Sequence, residues 1–328
     1  MMRDRYYSKI ILFGEYSMIF DATALMIPLK RFSAQWQLPL SFNRATSLPS
    51  NQSLKRFCQY LSENEELSNL FDLQTLRKDL EEGLFLASNV PSGYGLGSSG
   101  TLVAAVYDRY ALQKNDDYLQ LKTLFGKMES HFHGSSSGID PLQCYLGQPF
   151  KITPQGVQIL PDDFLKKDIH ICLIDTKIKS NTKPLVNHFK AQREDPEFLS
   201  RFQSEYVPCV ASCINSMIEG DKELFFKSLK QLTKGQLEFL RPMITDNTLD
   251  LFTTDYDFNF GVKISGSGGG GYVLGFTDDV TKANELLSLS CHFETFDGID
   301  TLPRSSVGMT CHQKAKKSMR GGFDVIWL

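Results

Sequence analysis

Apolar positions change their period several times along the chain, and each change marks an element. KIILFGEYSMIF, starting at Lys9, reads as a short buried strand, a break at Gly14, and then more apolar chain. PLKRFSAQWQLPLSF continues with strand character. From about Leu54 to Leu86 the spacing predicts helix: Leu54, Phe57, Cys58, Tyr60 and Leu61 recur at helical intervals, as do Leu76, Leu80 and Leu84. A glycine- and serine-rich run follows, and behind it Leu102, Ala105, Val106 and Tyr110 fall on one helical face. Another helix is expected over Tyr118–His131, ending near HGSSSG. GVQILP and HICLIDTKI read as strands on either side of the polar DDFLKKD, which places a domain boundary near residue 165 and divides the chain into 1–165 and 166–328. Pro184 to Met243 is helix-rich, with interruptions at Pro196 and EGDKE. FGVKISGSGGGGYVLGF reads as strand, glycine loop, strand, and the chain ends in mixed short elements. The expected class is α/β, on the α+β side.

Composition narrows the field. A chain of 328 residues suggests two domains. With 41% hydrophobic and 22% charged residues it can build a sizeable core. A net charge of −3 argues against a general nucleic-acid binder but allows a local basic pocket for one anionic metabolite. The seven cysteines form no C-x-x-C pair, and Cys209 and Cys213, four apart, read as small hydrophobes on one helical face. That usage suits a reducing cytoplasm. Arg3, Arg5 and Lys9 before IILF loosely mimic a secretory leader, but Gly14 and Glu15 cut the apolar run too short. No run approaches the length of a membrane span, so a soluble cytoplasmic protein is expected.

The candidate chemistry lies in three stretches. Gly93–Gly100 stands directly before an apolar-periodic helix, and Ser98 or Ser99 is placed to cap that helix. Backbone N–H groups freed by glycine and the positive end of a helix dipole together suit phosphate. The stretch lacks the Gly-Lys-Ser/Thr of a P-loop, and no acidic ribose ligand follows it. Ser265–Gly271 holds five glycines between two strand-like runs; alone it would be a hairpin turn, but two such loops favour a nucleotide with several phosphates. Met128–Pro141 formally contains the Gly134-x-Ser136-x-Gly138 elbow of hydrolases, yet a helical pattern precedes it where a strand is required. Glu129, His131 and His133 lack zinc spacing. The better reading makes Glu129 a Mg²⁺ ligand and Asp140 the group facing an attacking hydroxyl, the parts that phosphoryl transfer needs. Lys9, taken alone, reads as a solvated lysine at a strand edge.

With those residues in view, the chain resembles the GHMP small-molecule kinases and, among them, mevalonate kinases. KIILFGEY is similar to the family's K-x-x-L-x-G-E-H segment, PSGYGLGSSG to its P-x-G-x-G-L-G-S-S-A phosphate loop, and KISGSGGGG to its K-x-T-G-A-G-G-G-G loop. ESHFHGSSSGID resembles the mevalonate kinase segment containing H-G-N-P-S-G-x-D, and LIDTKIKSNTKPLV resembles its N-T-K segment. These matches span positions 9 to 271.

The resemblance implies a fold with an N-terminal domain like domain 2 of ribosomal protein S5 and a ferredoxin-like C-terminal domain. It implies ATP and Mg²⁺ as cofactors, mevalonate as small-molecule partner, and no nucleic acid or membrane; a homodimer stays open. Asp140 would be the catalytic aspartate beside the substrate's 5-hydroxyl, Lys9 would lower that hydroxyl's pKa, and Thr182 would lie near Asp140. Gly93, Gly95, Leu96, Gly97, Ser98, Ser99 and Gly100 would wrap the phosphates, Ser99 and Glu129 would hold Mg²⁺, and Gly266, Gly268 and Gly269 would close the site. Glu15 and Tyr16 would belong to the substrate pocket. Three departures stand out: Tyr16 in place of histidine, as in many phosphomevalonate kinases; Ser135-Ser136 in place of Asn-Pro; and Gly100 in place of alanine.

Overall fold

The computed structural model describes residues 4–20, 22–39, 44–165, 168–289 and 323–328. Among them, two antiparallel sheets form in succession along the chain. The first contains β1 (Tyr6–Phe13), β2 (Ala24–Gln37), β3 (Phe85–Ser88), β4 (Phe150–Thr153) and β5 (Gly156–Ile159). It runs in the order β1-β2-β4-β5, and β2 is long enough to pair β4 through Ala24–Met26 and β3 through Ala34–Gln37. The second runs β7 (Phe260–Ile264), β8 (Tyr272–Thr277), β6 (His170–Asp175), β9 (Val325–Trp327).

Strand β2 shows how the sheets are covered. Its residues alternate between faces, so Ala24 and Met26 join one apolar cluster while Leu25, Ile27 and Leu29 join another. The first cluster is closed by α1 (Arg44–Glu63), α2 (Leu73–Glu81), α3 (Ser98–Tyr110), α4 (Tyr118–His133) and α5 (Ile139–Leu146). The second runs on into the other sheet and its helices, α6 (Thr182–Gln192), α7 (Pro196–Arg201), α8 (Val207–Glu219), α9 (Lys222–Phe239), α10 (Leu249–Thr253) and α11 (Val280–Leu289). The back of the N-terminal sheet is therefore continuous with the C-terminal core.

Several expectations are corrected. The helix expected over Leu54–Leu86 is two helices and a strand: α1 starts earlier and carries Pro49 inside it, and Gly83 separates α2 from β3. Leu84 keeps helical spacing with Leu76 and Leu80 only by coincidence, because α2 ends at Glu81 and Leu86, two residues on, pairs with Trp36 across the sheet. The strand expected at GVQILP is β5, but α5 and β4 are not expected from the pattern; each is short, and neither has room to establish a period. In the helix-rich stretch, Pro196 begins α7 as a first-turn proline behind the capping Asp195, and Gly220–Asp221 divides α8 from α9. The mixed elements expected at the C-terminus fall largely outside the described residues. Among the described residues, no helix is long and apolar enough to cross a membrane.

Candidate active site

The site is built around a lysine that local pattern alone would put in solvent. Lys9 is only 2% exposed, and its side chain runs beneath the first glycine loop. Its backbone N–H donates to the Leu96 carbonyl at 3.1 Å, and a Cβ on Gly97 would stand 2.9 Å from its Cγ. Gly97 lies in the left-handed region (φ 77°), a conformation that lets the loop turn over the lysine and enter α3. A buried ammonium needs a counter-charge, and Lys9 Nζ meets Asp140 Oδ2 at 2.8 Å. Asp140 stands in the first turn of α5, where the helix dipole favours a carboxylate, and it keeps 29% exposure. The pair therefore has one partner fixed inside the protein and one that can be reached from outside. The strand-edge reading of Lys9 is overturned.

Neither Ser98 nor Ser99 caps α3; Gly97 occupies that position without a side-chain bond. Ser99 turns instead toward α4, donating to Glu129 Oε1 at 2.7 Å with His133 Nε2 2.9 Å from the same hydroxyl. Ser136 donates to the other carboxylate oxygen at 2.5 Å and accepts from the Gly138 N–H at 3.0 Å. Burial, and next the charge of Asp140, push the Glu129 carboxyl up to about 7. A hydroxyl and a carboxylate are oxygen donors suited to Mg²⁺, which keeps several waters and takes phosphate oxygens for the rest. Among the described residues no group of three or more His, Cys, Asp and Glu could hold a metal. His131 packs its ring near Phe57 and Tyr60. The hydrolase elbow fails on its context, since α4 precedes it and Ser136 is committed to Glu129. Gly100 faces the start of α5: a Cβ there would lie 3.0 Å from the Asp140 carbonyl carbon, so this glycine backs the aspartate. Cys144, buried behind Gly97, has its thiol pushed up by burial and stays protonated.

The second glycine loop joins β7 to β8. Lys263, at the end of β7, forms an ion pair with Glu15 at 2.6 Å in which both side chains are 2% exposed or less. Burial raises the Glu15 carboxyl and lowers the Lys263 amine, while each partner's charge pulls the other back. Glu15 also accepts from the Gly266 N–H at 3.3 Å, so its carboxylate is engaged in the interior rather than offered to a substrate. Tyr16 donates from its hydroxyl to the Ser267 carbonyl at 2.7 Å. Thr182, the first residue of α6, meets Ser267 Oγ at 3.0 Å. The two loops touch: a Cβ on Gly266 would be 3.9 Å from Gly95 Cα and one on Gly271 2.9 Å from the Tyr94 carbonyl oxygen, while Ser180, just before α6, donates its N–H to the Gly93 carbonyl at 3.0 Å. Gly268 and Gly269 point elsewhere, with Cβ atoms that would collide with Met243 and Leu185.

Lys9, Asp140, Ser99 and Glu129 thus converge beside Gly97, and Gly93, Gly95 and Gly266 adjoin. Sequence reasoning missed Ser136, Lys263, Ser180 and Ser267. Lys263 and Ser267 lie inside a motif already singled out, but only the folded chain shows what they touch.

The family described as GHMP kinases N terminal domain matches residues 54–148. Comparison with curated proteins found no match. Among solved structures the chain is similar to L. major mevalonate kinase in complex with R-mevalonate, at 17% identity over 88% of this chain and 90% of that one, with a TM-score of 0.60. It is similar to Streptococcus pneumoniae phosphomevalonate kinase, at 17% identity over 88% of this chain and 95% of that one, with a TM-score of 0.58. It is also similar to Lactococcus lactis galactokinase complexed with galactose, at 14% identity over 86% and 87% of the two chains, with a TM-score of 0.57. At such identities the likeness is one of fold, and the fold expected from the motifs is borne out.

Proposed function

We propose that this chain, a protein of the GHMP kinase fold, transfers the terminal phosphoryl group of ATP to the 5-hydroxyl of mevalonate in the cytoplasm. The observation that carries the reading is the Lys9–Asp140 pair, held at 2.8 Å beneath the first glycine loop with Asp140 left reachable. The loop around Gly95–Gly97 and the N-terminus of α3 would receive the phosphates, because backbone N–H groups and the helix dipole both favour negative charge there. Ser99 and Glu129 would hold Mg²⁺, which when bound screens the charge on the phosphate oxygens. Asp140 would accept the hydrogen bond of the attacking hydroxyl and orient its oxygen. Lys9 would hold Asp140 in place and set a positive charge beside the acceptor oxygen. As the acceptor oxygen bonds to the γ-phosphorus, the bond from that phosphorus to the β-phosphate oxygen breaks; ADP leaves and the hydroxyl proton departs by way of Asp140. Positioning and fixed charge carry most of such a reaction. The boundary near residue 165 would set the two halves on either side of the cleft.

The resemblance of the N-T-K segment to that of mevalonate kinases favours mevalonate over phosphomevalonate. Tyr16, the residue that pointed toward phosphomevalonate, has its hydroxyl engaged by Ser267 and carries less weight as a substrate clue. The test is ADP release by the purified protein with MgATP, offering mevalonate, phosphomevalonate and galactose in parallel. Turnover with mevalonate is expected; turnover with another acceptor alone would overturn the assignment.

A further inference from the structure

Residues Glu15 and Tyr16, in the turn after β1, reach the second glycine loop and the strand that leads into it, about 250 residues later, through three separate contacts. Glu15 binds the Lys263 ammonium and the Gly266 N–H, and the Tyr16 hydroxyl binds the Ser267 carbonyl at 2.7 Å. Tyr16 adopts φ 60°, a left-handed conformation that a bulky side chain enters only against a steric cost. That cost must be offset by what the conformation delivers. Here it turns the ring against Phe189, at 4.7 Å between centroids, and brings the hydroxyl to Ser267 while leaving the residue only 7% exposed. Burial pushes the phenol's pKa up, so the hydroxyl remains a donor across the working pH range. Ser267 passes the connection on, since its own hydroxyl meets Thr182 at 3.0 Å and Ser180 at 3.2 Å. Gly266, the neighbour it fixes, faces Gly95 of the first loop.

We propose that Tyr16 is a positioning residue that latches Gly266–Ser267 against the first glycine loop and so sets the nucleotide site, rather than a group that reads the acceptor. The inference rests on the reading that both loops border the nucleotide. A buried, nearly solvent-free hydroxyl bonded to a backbone carbonyl has no donor left to offer a second ligand.

Tyr16→Phe removes the bond and keeps the ring. A hydrogen bond of this kind is worth a factor of roughly 2–10. Hydrogen exchange at the Gly266–Gly268 amides should rise by about that factor in the protein without ligands. Calorimetric affinity for ADP with Mg²⁺ should fall by a similar factor. In turnover, the KM for ATP should rise while kcat and the KM for the acceptor hold. Unchanged exchange in a folded variant would overturn the latch, and so would a shift confined to the acceptor KM. The exchange and ADP measurements need no acceptor, so a parent protein silent toward mevalonate would sink the substrate assignment and leave this test standing. If Tyr16→Phe does not fold, Tyr16→His tolerates the left-handed backbone better and its shorter ring falls short of Ser267, so the same outcomes apply.

Discussion

The two glycine-rich loops look alike as sequence and are glycine-rich for partly different reasons. In the first, side chains at Gly93 and Gly95 would meet little: the nearest atoms to their Cβ positions lie 3.7 and 4.0 Å away. The backbone at those two positions is uncrowded, whereas Gly97 and Gly100 further along the loop are packed against Lys9 and Asp140. In the second, Cβ atoms at Gly268, Gly269 and Gly270 would fall 2.4, 2.5 and 2.6 Å from Met243, Leu185 and Ile178. Those glycines are required by the protein's own packing, and Gly269 N–H and Gly271 N–H already donate to the Met243 and Ile178 carbonyls. A glycine run marks close approach to a backbone, without saying whether a ligand or the protein approaches. The second loop is better described as a wall, pinned from one side by Glu15 and Tyr16 and from the other by the 176–182 segment, with Gly266 and Gly271 turned to the first loop at Gly95 and Tyr94.

Removing the pin should have the largest effect on stability. Glu15→Ala strands the Lys263 ammonium in a dry interior, and breaking a buried pair in this way costs about 3–5 kcal/mol. Denaturant unfolding of parent and variant measures it, and a loss below 1 kcal/mol would mean the pair is wet. Glu129 should give the next largest signal. Its folded-state pKa, raised from 4.5 to about 7, means it contributes stability below pH 4.5 that is lost as pH rises through 7. In chelator, the parent should lose on the order of 3 kcal/mol across that window, and Glu129→Gln should not. Parallel curves for the two proteins would contradict the burial argument. The comparison between the loops itself is sharpened by two alanines. Gly268→Ala meets the Met243 carbonyl and should cost about 1–3 kcal/mol of overpacking on top of backbone strain. Gly95→Ala carries only strain of ~1–2 kcal/mol, and its main effect should be a roughly tenfold weaker affinity for ADP with Mg²⁺. Equal losses of stability in both variants would erase the distinction.

Much of this architecture is legible from residue pattern. The strands around KIILF, HICLID and FGVKI announce themselves by apolar runs, and α4 was expected to within two residues of its observed end. The glycine-serine run before α3, with Glu129 and Asp140 further on, is also visible as a cluster of candidate residues. Illegible features depend on partners far along the chain. Lys9 is buried because Leu96 and Gly97 fold over it, and no local window around residue 9 contains them. Local pattern makes Ser98 or Ser99 a helix cap, but Glu129 and His133, brought in by α4, compete for the Ser99 hydroxyl. Glu15 resembled a substrate ligand until Lys263 arrived beside it from the other sheet.

The central claim is that the Lys9–Asp140 pair drives phosphoryl transfer, and it is tested most directly by ADP release from Asp140→Asn beside the parent, both shown folded and both given MgATP and mevalonate. The account predicts that kcat falls by about 10²–10⁴ while ADP with Mg²⁺ still binds. Parent-level turnover in the variant would contradict it.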